Sequence, residues 1–168
     1  MFNGYGTELN IFKPGRPDWI REDYRFFGRT LRVLRENTDC FTGFGYTPLI
    51  ETLEDNIWVN QWKSDQKTVY TIFSLKPEGF DGLLFEGQEK QGYHWVDLWE
   101  HSEIKPVEKD GKSYIPVRTD AFHQSWLGTN NEGAVSAVAF LPQLIQADLF
   151  GDLLHVTATD GDVIRIWP

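Results

Sequence analysis

From about residue 46 to its end, the chain is cut into short β-rich runs by closely spaced turn signals. No other feature constrains the fold as much. The runs cover 47–54, 57–64, 67–75, 80–86, 93–99, 113–118, 134–140, 153–158 and 162–167. Asp55-Asn56, Ser64-Asp65, Pro77-Glu78-Gly79, Asp110-Gly111, the stretch 128–133, Gly151-Asp152 and Asp160-Gly161 are among the separators. An Asp-Gly pair between two apolar runs predicts a hairpin, because the type I′ turn needs positive φ at both central residues. Residues 142–150, opening on Pro142 and Gln143, read as a short helical turn or an irregular crossing. Many short strands at this spacing predict an antiparallel β-sandwich of jelly-roll-like character.

One segment breaks the pattern. Over 18–36, Ile20, Tyr24, Phe27, Leu31 and Leu34 recur at helical spacing, with Trp19, Phe26 and Val33 as a second stripe beside them. Asp18 after Pro17 suits an N-cap, and Asn37 suits a stop. Arg21, Arg25, Arg29, Arg32 and Arg35 form the back of this helix. So wide an apolar face needs a large partner surface. The chain thus divides into residues 1–40, an irregular segment plus a packing helix, and residues 41–168, the sandwich. The fold class is mostly β with one N-terminal α-helix.

Charge narrows the partners. Residues 1–40 hold seven Lys/Arg against six Asp/Glu, whereas 41–168 hold nine against nineteen, within a net charge of −9. An acidic body repels phosphate backbones and anionic membrane surfaces, which argues against nucleic acid and membrane as partners. No apolar run approaches the roughly 18 residues of a membrane span. No basic start with an apolar segment marks a signal peptide, and the compartment stays open. Cys40 is the sole cysteine, so an internal disulfide is impossible.

The unusual feature of composition is rings: seven Trp, six Tyr and twelve Phe. Along 57–64, period-2 alternation puts Trp58, Asn60 and Trp62 on one face and Ile57, Val59 and Gln61 on the other. Two rings flanking an amide make a candidate sugar platform, since sugar C–H faces are apolar and their hydroxyls need hydrogen bonds. Along 93–99, Tyr93, Trp95, Asp97 and Trp99 share a face in the same way. Core packing is the favoured reading for both sets, because Trp is highly buried on average. The segment 119–133 gathers His123, Gln124, Trp126, Asn130, Asn131 and Glu132, groups suited to a small polar ligand or to a solvated connection pinned by Phe122 and Trp126.

The candidate carbohydrate-contacting residues are therefore Trp58, Trp62, Trp95, Trp99, His123 and Trp126. No catalytic residue is proposed. Cys40 has no His pattern near it and reads as a buried neutral thiol. The four His show no metal-ligand spacing, so neither a metal nor a cofactor is expected. No acidic pair stands out at the separation a glycosidase needs.

Order and texture add a resemblance. The helix WIREDYRFFGRTLRVLREN resembles the last helix of a (β/α)8 barrel. The runs LEDNIWVNQWKSDQKTVYTIFSL, FDGLLFE, YHWVDLW and the closing LLHVTATDGDVIRIW resemble the C-terminal β-sandwich domain of large bacterial glycoside hydrolases. The likeness covers roughly residues 19–168 and carries no diagnostic motif. It implies a non-catalytic accessory domain that packs against the catalytic domain of the same polypeptide, with oligo- or polysaccharide as a further partner. Catalytic carboxylates of such enzymes sit on the barrel, so none is carried over. The alternatives are an independent carbohydrate-binding module stacking sugars on Trp, a protein-interaction domain, and a small enzyme working through acidic residues.

Overall fold

The computed structural model of the chain describes residues 1–4, 20–122, 133–159 and 163, with the backbone alone for 20–23. Helix α1 spans Ile20–Glu36 and the one-turn α2 spans Thr38–Phe41. Eleven strands follow among the described residues: β1 Gly45–Thr47, β2 Ile57–Lys63, β3 Thr68–Ser74, β4 Phe80–Glu86, β5 Tyr93–Asp97, β6 Ser102–Ile104, β7 Val107–Lys109, β8 Lys112–Thr119, β9 Ala134–Pro142, β10 Ile145–Phe150 and β11 Leu153–Ala158.

All pairings among the described residues are antiparallel. A six-stranded sheet runs β1-β2-β3-β9-β5-β6, and a three-stranded sheet runs β4-β8-β7. Strands β10 and β11 form a separate hairpin. The two sheets close on one core, so the chain is an antiparallel β-sandwich carrying an N-terminal helix. Ile57, Val59, Tyr70, Ile72, Val138, Phe140 and Trp95 line it from the large sheet. Leu84, Phe85, Ile115 and Val117 line it from the small one.

Two consecutive residues of β4, Leu84 and Phe85, are both fully buried, which strict alternation forbids. A register shift between Leu83 and Phe85 explains it: the pairing with β8 skips Leu84, and the bulge turns both side chains inward.

The large sheet is covered on its other face too. Cys40, Trp62, Val69 and Ala139 form a second cluster there, joined by Phe41, Leu98 and Leu141. This explains why the central strands β3 and β9 are buried almost throughout, while the edge strand β6 is not. Small residues at Ala137 and Ala139 keep the outer face low enough for α2 and the helix end to sit close.

The turn chemistry is legible residue by residue. Asp110 and Gly111 both have positive φ and close the β7–β8 hairpin between the paired Lys109 and Lys112. Gly151 does the same for β10–β11, where Phe150 pairs with Leu153. The Asp160-Gly161 signal and the run 162–167 lie outside the described residues, apart from Val163.

Two sequence expectations are corrected, and two strands are new. Residues 142–150 are neither helical nor irregular, since most of them form β10, whose partner β11 supplies the ladder that local propensity does not reveal. The run 47–54 yields only the end of β1, because Pro48 removes a ladder donor and Leu49 takes positive φ. The short strands β6 and β7 are too brief to show a period in sequence.

Candidate functional site

The four described tryptophans among the candidates do not meet in one place. Trp95 lies in the inter-sheet core, 2% exposed, against Tyr70, Phe85 and Phe140. Its indole Nε1 donates to the Gln88 carbonyl at 3.2 Å. Trp58 and Trp62 project from the opposite face of the large sheet, as the alternation of β2 requires. Trp62 is buried between Phe41 and Tyr46, with Nε1 donating to Thr71 Oγ1 at 2.9 Å. Trp58 is half-buried and stacks on Phe73.

Asn60, between those two rings, is committed to structure. Its Nδ2 donates to the Phe2 carbonyl at 3.2 Å, and its Oδ1 accepts from the Leu49 amide at 3.0 Å. The Thr71 hydroxyl donates to the same Phe2 carbonyl at 2.8 Å. The platform face of β2 is thereby spent on anchoring residues 1–4. His123 and Trp126 lie outside the described residues.

Trp99 departs from its expected strand face. Strand β5 stops at Asp97, whose Oδ1 accepts the amides of Trp99 at 2.7 Å and Glu100 at 2.8 Å. This capped turn directs Trp99 to helix α1. Phe26 meets its ring edge-on at 5.6 Å, and the Arg29 guanidinium lies over it at 4.1 Å. Arg29 Nε donates to the Trp99 carbonyl at 2.9 Å, its Nη2 donates to the same oxygen, and Nη2 also pairs with Glu100 at 2.8 Å. Burial raises the Asp97 pKa above its ordinary value, against the opposing pull of the two amides and Arg29.

The helix therefore docks through Phe26, Arg29, Thr30, Val33 and Asn37, not through the main apolar stripe. Thr30, Val33 and Asn37 are buried, while Tyr24, Phe27, Leu31 and Leu34 stay half-buried. A sequence pattern gives the width of an apolar face but not which part of it meets the domain's own sheet.

A second apolar surface lies on the β10–β11 hairpin. Ile145, Ala147, Leu149, Leu154, Val156 and Ala158 share one face by register. Leu149 is 71% exposed, and the tip pair Phe150 and Leu153 is 67% and 68% exposed.

A cleft of about 700 Å³ opens at the β5–β6 edge, within the roughly 300–1,000 Å³ usual for small-molecule sites. The rings of Tyr93, Trp95 and Phe140 line it together with residues 88–91, 103–106 and 108. Lys90 places its ammonium 3.8 Å from the Tyr93 ring centre. His94 Nδ1 lies 3.3 Å from Glu103 Oε1. Gln91 and Gln143 add amides to the lining. Sequence reasoning misses this cleft, because Gln91, Glu103 and Gln143 lie far apart in the chain and only the β9–β5–β6 pairing gathers them.

Among the described residues, no group of three or more His, Cys, Asp or Glu could hold a metal ion. None of the described helices is long and apolar enough to cross a membrane. Cys40 is buried, its Sγ 3.8 Å from the Lys67 carbonyl, and burial raises its pKa. No family model, curated protein or solved structure matches the chain.

Proposed function

We propose that this chain is a non-catalytic accessory domain of a carbohydrate-active enzyme, packing against a catalytic domain of the same polypeptide. The observation that carries the reading is apolar surface outside the domain's own core. One face of the β10–β11 hairpin displays Ile145, Leu149 and Leu154 at 59%, 71% and 42% exposure, and Phe150 and Leu153 are exposed at the tip on the other face. Contiguous exposed apolar patches of this kind mark interaction surfaces. The half-buried stripe of Tyr24, Phe27, Leu31 and Leu34 on α1 supports it as a second surface. The ring inventory supports packing over stacking: of the described candidates, Trp62, Trp95 and Trp99 give their faces to the protein interior. The choice of enzyme class comes from the resemblance of the strand order and texture to glycoside hydrolase sandwiches.

The test uses the native protein. An antibody raised against this chain should detect, in its source cells, a polypeptide far larger than the 19.5 kDa of these residues. The immunoprecipitate should hydrolyse glycosides that the isolated 168-residue chain leaves intact. A native band at 19.5 kDa, or turnover by the isolated chain, would overturn the reading.

A further inference from the structure

We propose that the cleft at the β5–β6 edge binds one unit of a neutral oligosaccharide, with Tyr93 as the ring platform. The choice of sugar rests on the carbohydrate-active reading above. The existence and chemistry of the site rest on the cleft itself.

The lining selects its ligand. Tyr93 packs by its body against the inter-sheet core, yet stays half-buried and borders the cleft. A ring held rigidly from behind and open in front is suited to stacking. Its position is set three ways. The Tyr93 amide donates to the Lys90 carbonyl at 3.1 Å, Tyr93 pairs with Pro142 of β9, and Phe140 lies 5.1 Å from its ring.

Gln91 and Gln143 each offer a donor and an acceptor, which matches hydroxyls that both donate and accept. The Gln143 backbone amide donates to the Gly92 carbonyl at 2.9 Å, so the two segments that carry these glutamines are tied together. His94 and Glu103 add an imidazole and a carboxylate at one rim.

Charge and polarity argue against anionic and apolar ligands. Glu89, Glu103 and Glu108 line the cleft against Lys90 and Lys105, and the whole chain carries −9. A phosphorylated or acidic ligand gains nothing there. A purely apolar ligand would strip water from amides and charges without replacing their hydrogen bonds.

Lys90 occupies the platform when the cleft is empty of sugar. An exposed cation–π contact is worth only about 0.5–1 kcal/mol, so a stacking sugar displaces it readily. Trp58, the half-buried ring on β2, serves as the control, since it does not line this cleft.

The experiment is calorimetric titration of the full chain with maltohexaose, cellohexaose and mannohexaose in turn. At least one should bind. Tyr93→Ala and Gln143→Ala should each weaken it, the former about ten-fold or more. Trp58→Ala should leave it unchanged, and Lys90→Ala should match or exceed the parent affinity. If Tyr93→Ala loses its near-ultraviolet circular dichroism, Gln143→Ala decides, since Gln143 lies outside the core.

The proposal fails if none of the three sugars binds, if binding survives both cleft substitutions, or if Trp58→Ala abolishes it. It fails equally if hexalysine binds the cleft where the sugars do not, which would make Tyr93 a cation site. These outcomes separate from those of the accessory-domain reading. A native 19.5 kDa chain that binds sugar sinks only the earlier proposal, and a large native enzyme whose domain binds none sinks only this one.

Discussion

Arg29 lays its guanidinium 4.1 Å over the ring of Trp99 while donating to the carbonyl oxygen of that same residue. One arginine thus holds both the backbone and the side chain of the turn after β5, and fixes α1 to the sheet. It also explains why an arginine from the expected solvent face of the helix turns inward. The planar, multidentate guanidinium suits this double role, and a lysine does not.

Arg29→Ala should destabilise the fold by about 1.5–3 kcal/mol, the range for hydrogen bonds to a charged group. Arg29→Lys should recover little of it. Glu100→Ala should cost about 0–1 kcal/mol, because that ion pair is partly solvent-exposed. Urea denaturation followed by Trp fluorescence measures all three. Equal costs for Arg29→Ala and Glu100→Ala would show that the ion pair, not the Trp99 contact, secures the helix.

Asp97 makes a pH prediction of definite sign. Burial raises its native pKa above the ordinary 3.8, so the folded state holds this proton more tightly than the unfolded chain. Its ionisation therefore costs stability at neutral pH. That cost is relieved as pH falls through the raised native value and changes no further below the ordinary carboxylate value. Asp97→Asn keeps an acceptor for the Trp99 and Glu100 amides and removes the charge. The stability of the parent relative to Asp97→Asn should therefore rise on acidification. Asp97→Ala, which strands both amides, should cost about 1–3 kcal/mol at any pH. Denaturation midpoints between neutral and mildly acidic pH check this, and a parent that loses ground to Asp97→Asn on acidification would reverse the assigned shift.

These residues show what the sequence discloses and what it withholds. The faces of β2 are legible because alternation is local: Ile57 and Val59 enter the inter-sheet core while Trp58 and Trp62 leave it. The Asp110-Gly111 turn is legible because its chemistry lies in two adjacent residues. Trp99 escapes the same alternation because the turn capped by Asp97 interrupts the period after β5. The inward Arg29 and the second cluster are invisible in sequence, since each depends on what lies across the fold. The cleft at Tyr93 is hidden for the same reason: β5 meets β9 only after about 40 intervening residues.

The Trp set makes a contrast in packing. Trp95→Ala should cost about 3–5 kcal/mol, as expected for a large ring removed from a close-packed core. Trp58→Ala removes a half-buried ring and should cost about 1–2 kcal/mol. Acrylamide should quench the emission of a Trp62→Phe, Trp99→Phe protein more than that of one retaining Trp62 and Trp99 but lacking Trp58. Comparable costs at Trp58 and Trp95 would mean that the outer face of β2 is a core equal to the inter-sheet one.

Two glycines with open space where a methyl group would sit should respond in opposite directions to alanine. A Cβ at Gly28, inside α1, meets no atom within 4 Å, and its φ lies outside the positive range. Gly28→Ala should therefore stabilise by about 0.5–1 kcal/mol, by reducing the freedom of the unfolded chain. A Cβ at Gly111 also meets nothing, but φ there is +76. Gly111→Ala should destabilise by about 1–2 kcal/mol from backbone strain alone. Because neither substitution alters a contact, their difference isolates conformation from packing. Thermal unfolding of the pair measures it. If Gly28→Ala destabilised the protein, that helix position would have to lie against a partner surface, which would point to an interface on the exposed side of α1.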